Sequence, residues 1–257
     1  MNYIEPVLLK ELHEADYDSL IRYRIRKILM ICSNYDAFIL EEDGQIESQI
    51  YREYIELNLS NSPKFVWVTT SEEARAVMNS SNDIDLVISM FNMGDLEVFQ
   101  LASDLKEQGK NIPFVLLTHF SKEVYKRLSL QNTSGIDYMF SWHGNADLIL
   151  AIVKLLEDRI NADHDILEVG VQAILLVEDS VRYYSTYLPE LYKLILKQCA
   201  EFMKETLNEQ QRKGRKRSRP KILLANNLDD AMGLYMKYKS NLLGVISDVG
   251  FIRHRDD

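Results

Sequence analysis

Short apolar runs alternate with amphipathic stretches along most of this chain. Residues 27–32, KILMIC, form a continuous apolar run of the length of a buried strand. FVWVTT at 65–70, DLVISM at 85–90, IPFVLLT at 112–118 and IDYMF at 136–140 repeat that signature. Between them lie stretches with helical spacing: 46–58, SEEARAVMNS at 71–80, VFQLASDLKEQG at 98–109, SKEVYKRLSL at 121–130 and NADLILAIVKLLEDRI at 145–160. Thr70 followed by Glu73 has the spacing of a helix-starting capping box, and Gly109 sits where a helix would end. Residues 5–22 also carry helical spacing, with Val7, Leu8, Leu12, Tyr17, Leu20 and Ile21 on one side. Strand and helix therefore alternate five times, which predicts an α/β doubly wound parallel sheet.

The alternation then starts again. AILLV at 173–177 is a new strand, ending in Glu178 and Asp179. A helical stretch from Val181 to about residue 210 follows, with an apolar stripe of Leu188, Leu191, Tyr192, Ile195, Cys199, Phe202 and Met203. Pro189 either sits in its first turns or divides it. After a polar break come KILLA at 221–225, the helical stretch LDDAMGLYMKYK at 228–239, and LLGVIS at 242–247, closed by Asp248. Only part of a second sheet is expected within the chain. The predicted organisation is an N-terminal helical segment at 1–25, a first domain at 26–160, a linker at 161–172 and a second domain at 173–257.

Composition narrows the classes. Lys and Arg number 30, Asp and Glu 39, so the net charge is -9, and 46% of residues are apolar. An acidic chain with substantial cores is not a general nucleic-acid binder. Its only two cysteines, Cys32 and Cys199, do not make a disulfide framework. No apolar segment is long enough for a membrane helix, and the acidic N-terminus lacks a signal-like core, so a cytoplasmic location is expected. One stretch runs against the overall charge: Arg212, Lys213, Arg215, Lys216, Arg217, Arg219 and Lys221, a basic insertion at 211–221. No aromatic residue interleaves it, so a solvated, mobile loop is expected rather than a nucleic-acid contact; contact with acidic protein faces stays open. No GxxxxGK[ST] or GxGxxG occurs, so ATP or dinucleotide catalysis within this chain is not expected.

The candidate chemistry lies in the acids that end two apolar runs. In a parallel sheet the carboxyl ends of the strands share one edge, so Glu178, Asp179 and Asp248 can converge on a divalent cation. The plainer alternative is that these acids only finish strands at a solvated edge. His119 and His143 fall at strand ends of the first domain, as loop histidines.

ILLVEDS at 174–180 resembles the first strand and acidic pair of bacterial response-regulator receiver domains. DLVISMFNMGD at 85–95, IPFVLLT and GIDYMFSW at 135–142 are similar to the third, fourth and fifth strands of another copy. The resemblance implies tandem flavodoxin-like receivers over about 26–160 and 171–257. It also implies an Mg²⁺-dependent phosphoryl transfer to an aspartate, with a histidine kinase or other phosphodonor as partner. Carried over by position, Glu178 and Asp179 would be the acidic pair and Asp248 the phosphoacceptor, and the Gly250 carbonyl a further Mg²⁺ ligand. In the first domain the acidic-pair positions hold Cys32 and Ser33, the acceptor position Met90 and the lysine position Trp142; Thr118 alone keeps its hydroxyl. That copy is expected to be a pseudo-receiver, with Asp36, Glu42 and Asp95 as its nearby acids. The chain also resembles the N-terminal region of bacterial phosphoenolpyruvate synthase and pyruvate phosphate dikinase-like proteins. That leaves an alternative: an interaction or dimerisation scaffold, without phosphotransfer, that regulates a linked phosphotransferase. A homodimer through the long helix or an open sheet edge is the expected self-association.

Overall fold

A computed structural model describes residues 20–33, 46–56, 62–91, 97–119, 128, 130–144, 146–204 and 219–250. The chain divides into two compact units. The first comprises 24–156 and 178–194; the second comprises 1–23, 157–177 and 195–257.

The first unit is built on β1 (Lys27–Ile31), α1 (Ile46–Glu56), β2 (Lys64–Val68), α2 (Ser71–Ser80), β3 (Leu86–Met90), α3 (Glu97–Glu107), β4 (Phe114–Thr118) and β5 (Tyr138–Ser141). All its strand pairs are parallel, in the order β2-β1-β3-β4-β5. This is the flavodoxin-like doubly wound order, with its switch point between β1 and β3. Leu29, Ile31, Val87, Phe114 and Leu116 pack with Ala74, Met78, Phe99, Ala102 and Leu105 in one core cluster. The alternate positions, Ile28, Met30, Ile88, Val115 and Leu117, are buried too. Burial of both faces explains why these strands read as unbroken apolar runs.

Local signals act as expected. Thr70 Oγ1 accepts from the Glu73 N–H at 3.1 Å and so caps α2. Glu73 reaches back to the Thr69 N–H at 2.8 Å, one residue earlier than an ideal box. Gly109 adopts φ 69° and lets the Lys110 N–H reach the Leu105 carbonyl at 3.1 Å, closing α3. Gly135 abuts α3 so closely that a Cβ there would lie 2.5 Å from the Ala102 carbonyl carbon.

Two helices contribute residues to both units. α4 spans Ala146–Ala162, and α5 spans Val181–Lys204 with Pro189 inside it. The long helix is therefore undivided over its described length. Its first half belongs to the first unit, where Tyr184 and Ser185 hold the β5 edge. The Tyr184 hydroxyl donates to the Met139 carbonyl, the Ser141 N–H donates to Ser185 Oγ at 2.9 Å, and Tyr184 meets Phe140 edge to face at 5.4 Å.

The second unit holds β6 (Ala173–Val177), β7 (Lys221–Ala225), α6 (Leu228–Tyr238), a 3-10 turn (Lys239–Asn241) and β8 (Leu242–Ser247). Its parallel sheet has the order β7-β6-β8. α6, capped by Asn227 on the Asp230 N–H at 2.8 Å, packs Ala231, Leu234 and Tyr238 on Leu175, Val177, Leu223 and Ala225. Residues 161–172, expected as a linker, carry regular structure. They hold the end of α4 and a π-helical segment, Asp163–Glu168, with Asp165, Ile166 and Val171 buried. The N-terminal helix predicted over 5–22 lies outside the described residues except for its last positions. Those are irregular, with Ile21 at φ 52°. The helix predicted over 121–130 falls almost wholly outside as well.

Candidate functional site

In the first unit, the carboxyl ends of the strands offer no carboxylate at the positions that matter. Cys32 is buried just past β1, and Met90 ends β3. Trp142, just past β5, is buried and donates its backbone N–H to the Thr118 carbonyl at 2.9 Å. Thr118 ends β4 enclosed, and among the described residues neither its hydroxyl nor that of Ser89 has a hydrogen-bond partner. A thioether, an indole and a thiol cannot hold a hard cation, and a buried hydroxyl cannot do so alone. His119 and His143 are exposed; His143 Nε2 lies 3.0 Å from Ser141 Oγ. Asp36, Glu42 and Asp95 lie outside the described residues.

Asp248 lies at the carboxyl end of the second sheet, and Glu178 and Asp179 open the 178–194 segment of the first unit. β6 stops at Val177, and the chain continues directly into Glu178 and Asp179. Glu178 is buried, and its carboxylate accepts from the Ser180 N–H at 3.0 Å. Asp248 follows β8, and its N–H donates to the Val177 carbonyl at 3.1 Å. β6 is thus the strand at which the order reverses, and Asp248 flanks its last residue. The Asp248 carboxylate accepts from the Val249 N–H at 2.6 Å, and Gly250 is exposed. The donors are hard oxygens of the kind Mg²⁺ takes. Among the described residues, however, no three His, Cys, Asp or Glu side chains stand together as a metal-holding group.

A polar centre that the sequence did not disclose lies elsewhere in the second unit. Arg219 grips Asp158 through two contacts of 2.8 Å, and the Ile222 N–H donates to the same carboxylate at 3.0 Å. Lys221 Nζ lies 2.7 Å from Asp165 and 3.7 Å from Asp158. The 2.7 Å approach to Asp165 is a close ion pair. Asp165 also meets His164 Nδ1 at 3.0 Å and accepts from the Ile21 N–H at 3.3 Å. All four charged side chains are enclosed. Burial alone would push the Asp158 carboxyl up, but Arg219 and Lys221 outweigh it and hold it below the usual carboxylate range. Burial pushes the Lys221 amine down, partly offset by Asp158 and Asp165. Two members of the predicted solvated basic loop are therefore core residues. The expectation failed because adjacency to Arg212–Arg217 hid their partners far upstream; residues 212–218 themselves lie outside the described set. The one signal in the sequence was that Lys221 opens a fully apolar strand.

No family model matches the chain, and neither does any curated protein. A solved structure similar to it is the receiver domain of the Francisella response regulator 1452. The two share 20% identity over 52% of this chain and 98% of that one, with a TM-score of 0.37. The strand order, rather than this likeness, carries the flavodoxin-like assignment of the first unit.

Proposed function

We propose that the chain is a two-component-type signalling module in which Asp248 accepts a phosphoryl group and the first unit is an unphosphorylated receiver-like scaffold. The observation that carries this reading is the Asp248 N–H bond to Val177, which sets an aspartate at the switch point beside a strand continuing into Glu178 and Asp179. An Asp248 oxygen attacks the phosphorus of a phosphohistidine or small phosphodonor. The donor's P–N or P–O bond breaks with its electrons, and an acyl phosphate forms on the carboxylate. Bound Mg²⁺ would neutralise charge on the transferring oxygens, held by Glu178, Asp179, Asp248 and the Gly250 carbonyl. The Ser180 N–H bond to Glu178 and the Val249 N–H bond to Asp248 each use one of the roughly four lone pairs of a carboxylate. The described residues include no group we assign to the hydroxyl or lysine role for this site.

The test is calorimetric titration of Mg²⁺ into the chain, with and without beryllofluoride, alongside Asp248→Asn. Saturable binding that beryllofluoride strengthens and the substitution removes is the expected result. Equal heats for both proteins would overturn the reading. The scaffold alternative, without phosphotransfer, draws on the lack of an assembled three-acid group among the described residues.

A further inference from the structure

We propose that the carboxyl edge of the first sheet binds a Cu(I) ion through the Cys32 thiolate, the Met90 thioether and the His119 imidazole. All three residues belong to the first unit, and the site does not depend on the phosphoacceptor reading.

The register brings them to neighbouring positions. Ile31 pairs with Ser89, and the Cys32 N–H carries the β1 ladder one residue further, to the Val68 carbonyl at 3.1 Å. The same register, continued by that residue, sets Cys32 beside Met90. Met90 in turn pairs with Leu117 on β4, and His119 stands two residues beyond Leu117. Paired residues share a face and alternate residues return to it. Cys32, Met90 and His119 therefore lie on one face of the adjacent strands β1, β3 and β4. At about 4.8 Å between strands and 3.3 Å per residue, the Met90 backbone is about 5 Å from Cys32 and about 8 Å from His119. By the same spacings Cys32 and His119 are about 12 Å apart. A thioether on three rotatable bonds, an imidazole and a thiol span these gaps with metal bonds of about 2.0–2.3 Å.

What excludes a hard cation here suits a soft one. The donors are two sulfurs and a nitrogen. Thiolate and thioether are soft ligands that select Cu(I), and imidazole suits copper as well. Charge points the same way. Cys32 gives up its thiol proton to solvent on binding, so thiolate and Cu(I) together are neutral and can sit at an enclosed position. A divalent ion on the same donors would leave a net positive charge there. Cys32 is buried, Met90 half-buried and His119 exposed, so the row runs from an enclosed thiol to an open imidazole and gives the ion a way in. The set holds only one cysteine and one histidine beside the thioether. It therefore agrees with the absence, among the described residues, of any three His, Cys, Asp or Glu side chains standing together.

Anaerobic titration of Cu(I) into the full chain, in competition with the chromophoric chelator bicinchoninate, tests this. The expected result is equimolar binding with a sulfur-to-copper charge-transfer band and release of the thiol proton. X-ray absorption should count two sulfur neighbours and one nitrogen. Cys32→Ser should weaken binding at least about a hundredfold, and Met90→Leu about tenfold. His119→Gln, at an exposed position, should weaken it about tenfold with an unchanged circular dichroism spectrum. It keeps the test decisive if the buried Cys32→Ser variant does not fold. Cys199→Ser should bind as the parent does. No copper retained against the chelator overturns the proposal. So does binding that His119→Gln and Met90→Leu both leave intact, binding lost with Cys199→Ser, or displacement of Cu(I) by an equal concentration of Zn²⁺.

Discussion

Lys221→Met tests the physical account of the second unit most directly. The substitution keeps much of the side chain's length and removes its charge. Lys221 is fully enclosed, 2.7 Å from Asp165 and 3.7 Å from Asp158, and Arg219 is committed to Asp158 at 2.8 Å. With the amine gone, Asp165 keeps the His164 ring and the Ile21 N–H among the described residues. Removing one partner of a buried pair costs about 3–5 kcal/mol, because the other charge stays buried without compensation. A domain has roughly 5–15 kcal/mol in all. At roughly 2 kcal/mol per molar urea, the unfolding midpoint of the second unit should fall by about 2 M.

The assay can separate the units. The chain's two tryptophans, Trp67 and Trp142, both lie in the first unit, so their emission follows that unit. Hydrogen exchange at Ile222–Ala225 follows the second. Lys221→Met should accelerate exchange in β7 far more than it shifts tryptophan emission. Adding Asp165→Leu should recover about half of the loss, since the stranded charge goes with it. A midpoint within about 0.3 M of the parent, or a double variant weaker than the sum of both singles, would refute a buried ion pair at this position.

Further outcomes follow from the same contacts. Asp158 titrates below its unfolded range in the folded chain, so its stabilisation is fully present above about pH 4. It is lost as pH falls through the depressed value. Acid should therefore loosen β7 only below about pH 4, which hydrogen exchange between pH 2 and 6 would show. Ser185→Ala leaves the Ser141 N–H unpaired inside the first unit and should cost about 1–3 kcal/mol, read by tryptophan emission in urea. Thr70→Ala removes the cap of α2 and should cost about 0.5–2 kcal/mol by the same measurement.

β1, β3, β4 and β7 were legible because they are buried on both faces and so read as uninterrupted apolar runs; β2 and β8 carry the same pattern with exposed positions. Thr70 and Gly109 marked helix ends for equally local reasons: a hydroxyl three residues before a free N–H, and a residue that tolerates φ 69°. α5 was legible as a helix but not as to what it packs on. Its stripe included Leu188 and Tyr192, which are buried, but not Tyr184, which with Ser185 serves the edge of β5 about 45 residues earlier.

The same division between local and distant information governs the candidate site. Glu178 and Asp248 stood out because an acid directly after an apolar run needs a reason at the carboxyl edge of a sheet. Lys221 and Arg219 did not, because a basic residue next to five others looks solvated until its partner is known, and Asp158 lies 61 residues from Arg219. Burial also reverses what charge means in the two places. At the carboxyl edge, Asp248 is exposed and its carboxylate accepts from the adjacent Val249 N–H. At the amino edge, Asp158 is already matched by a guanidinium and an ammonium and has nothing left to offer a ligand. Acidity alone would have ranked the two alike. The counter-charges separate them: Asp158 is paired inside the second unit, whereas Asp248 lies exposed at the carboxyl end of the sheet.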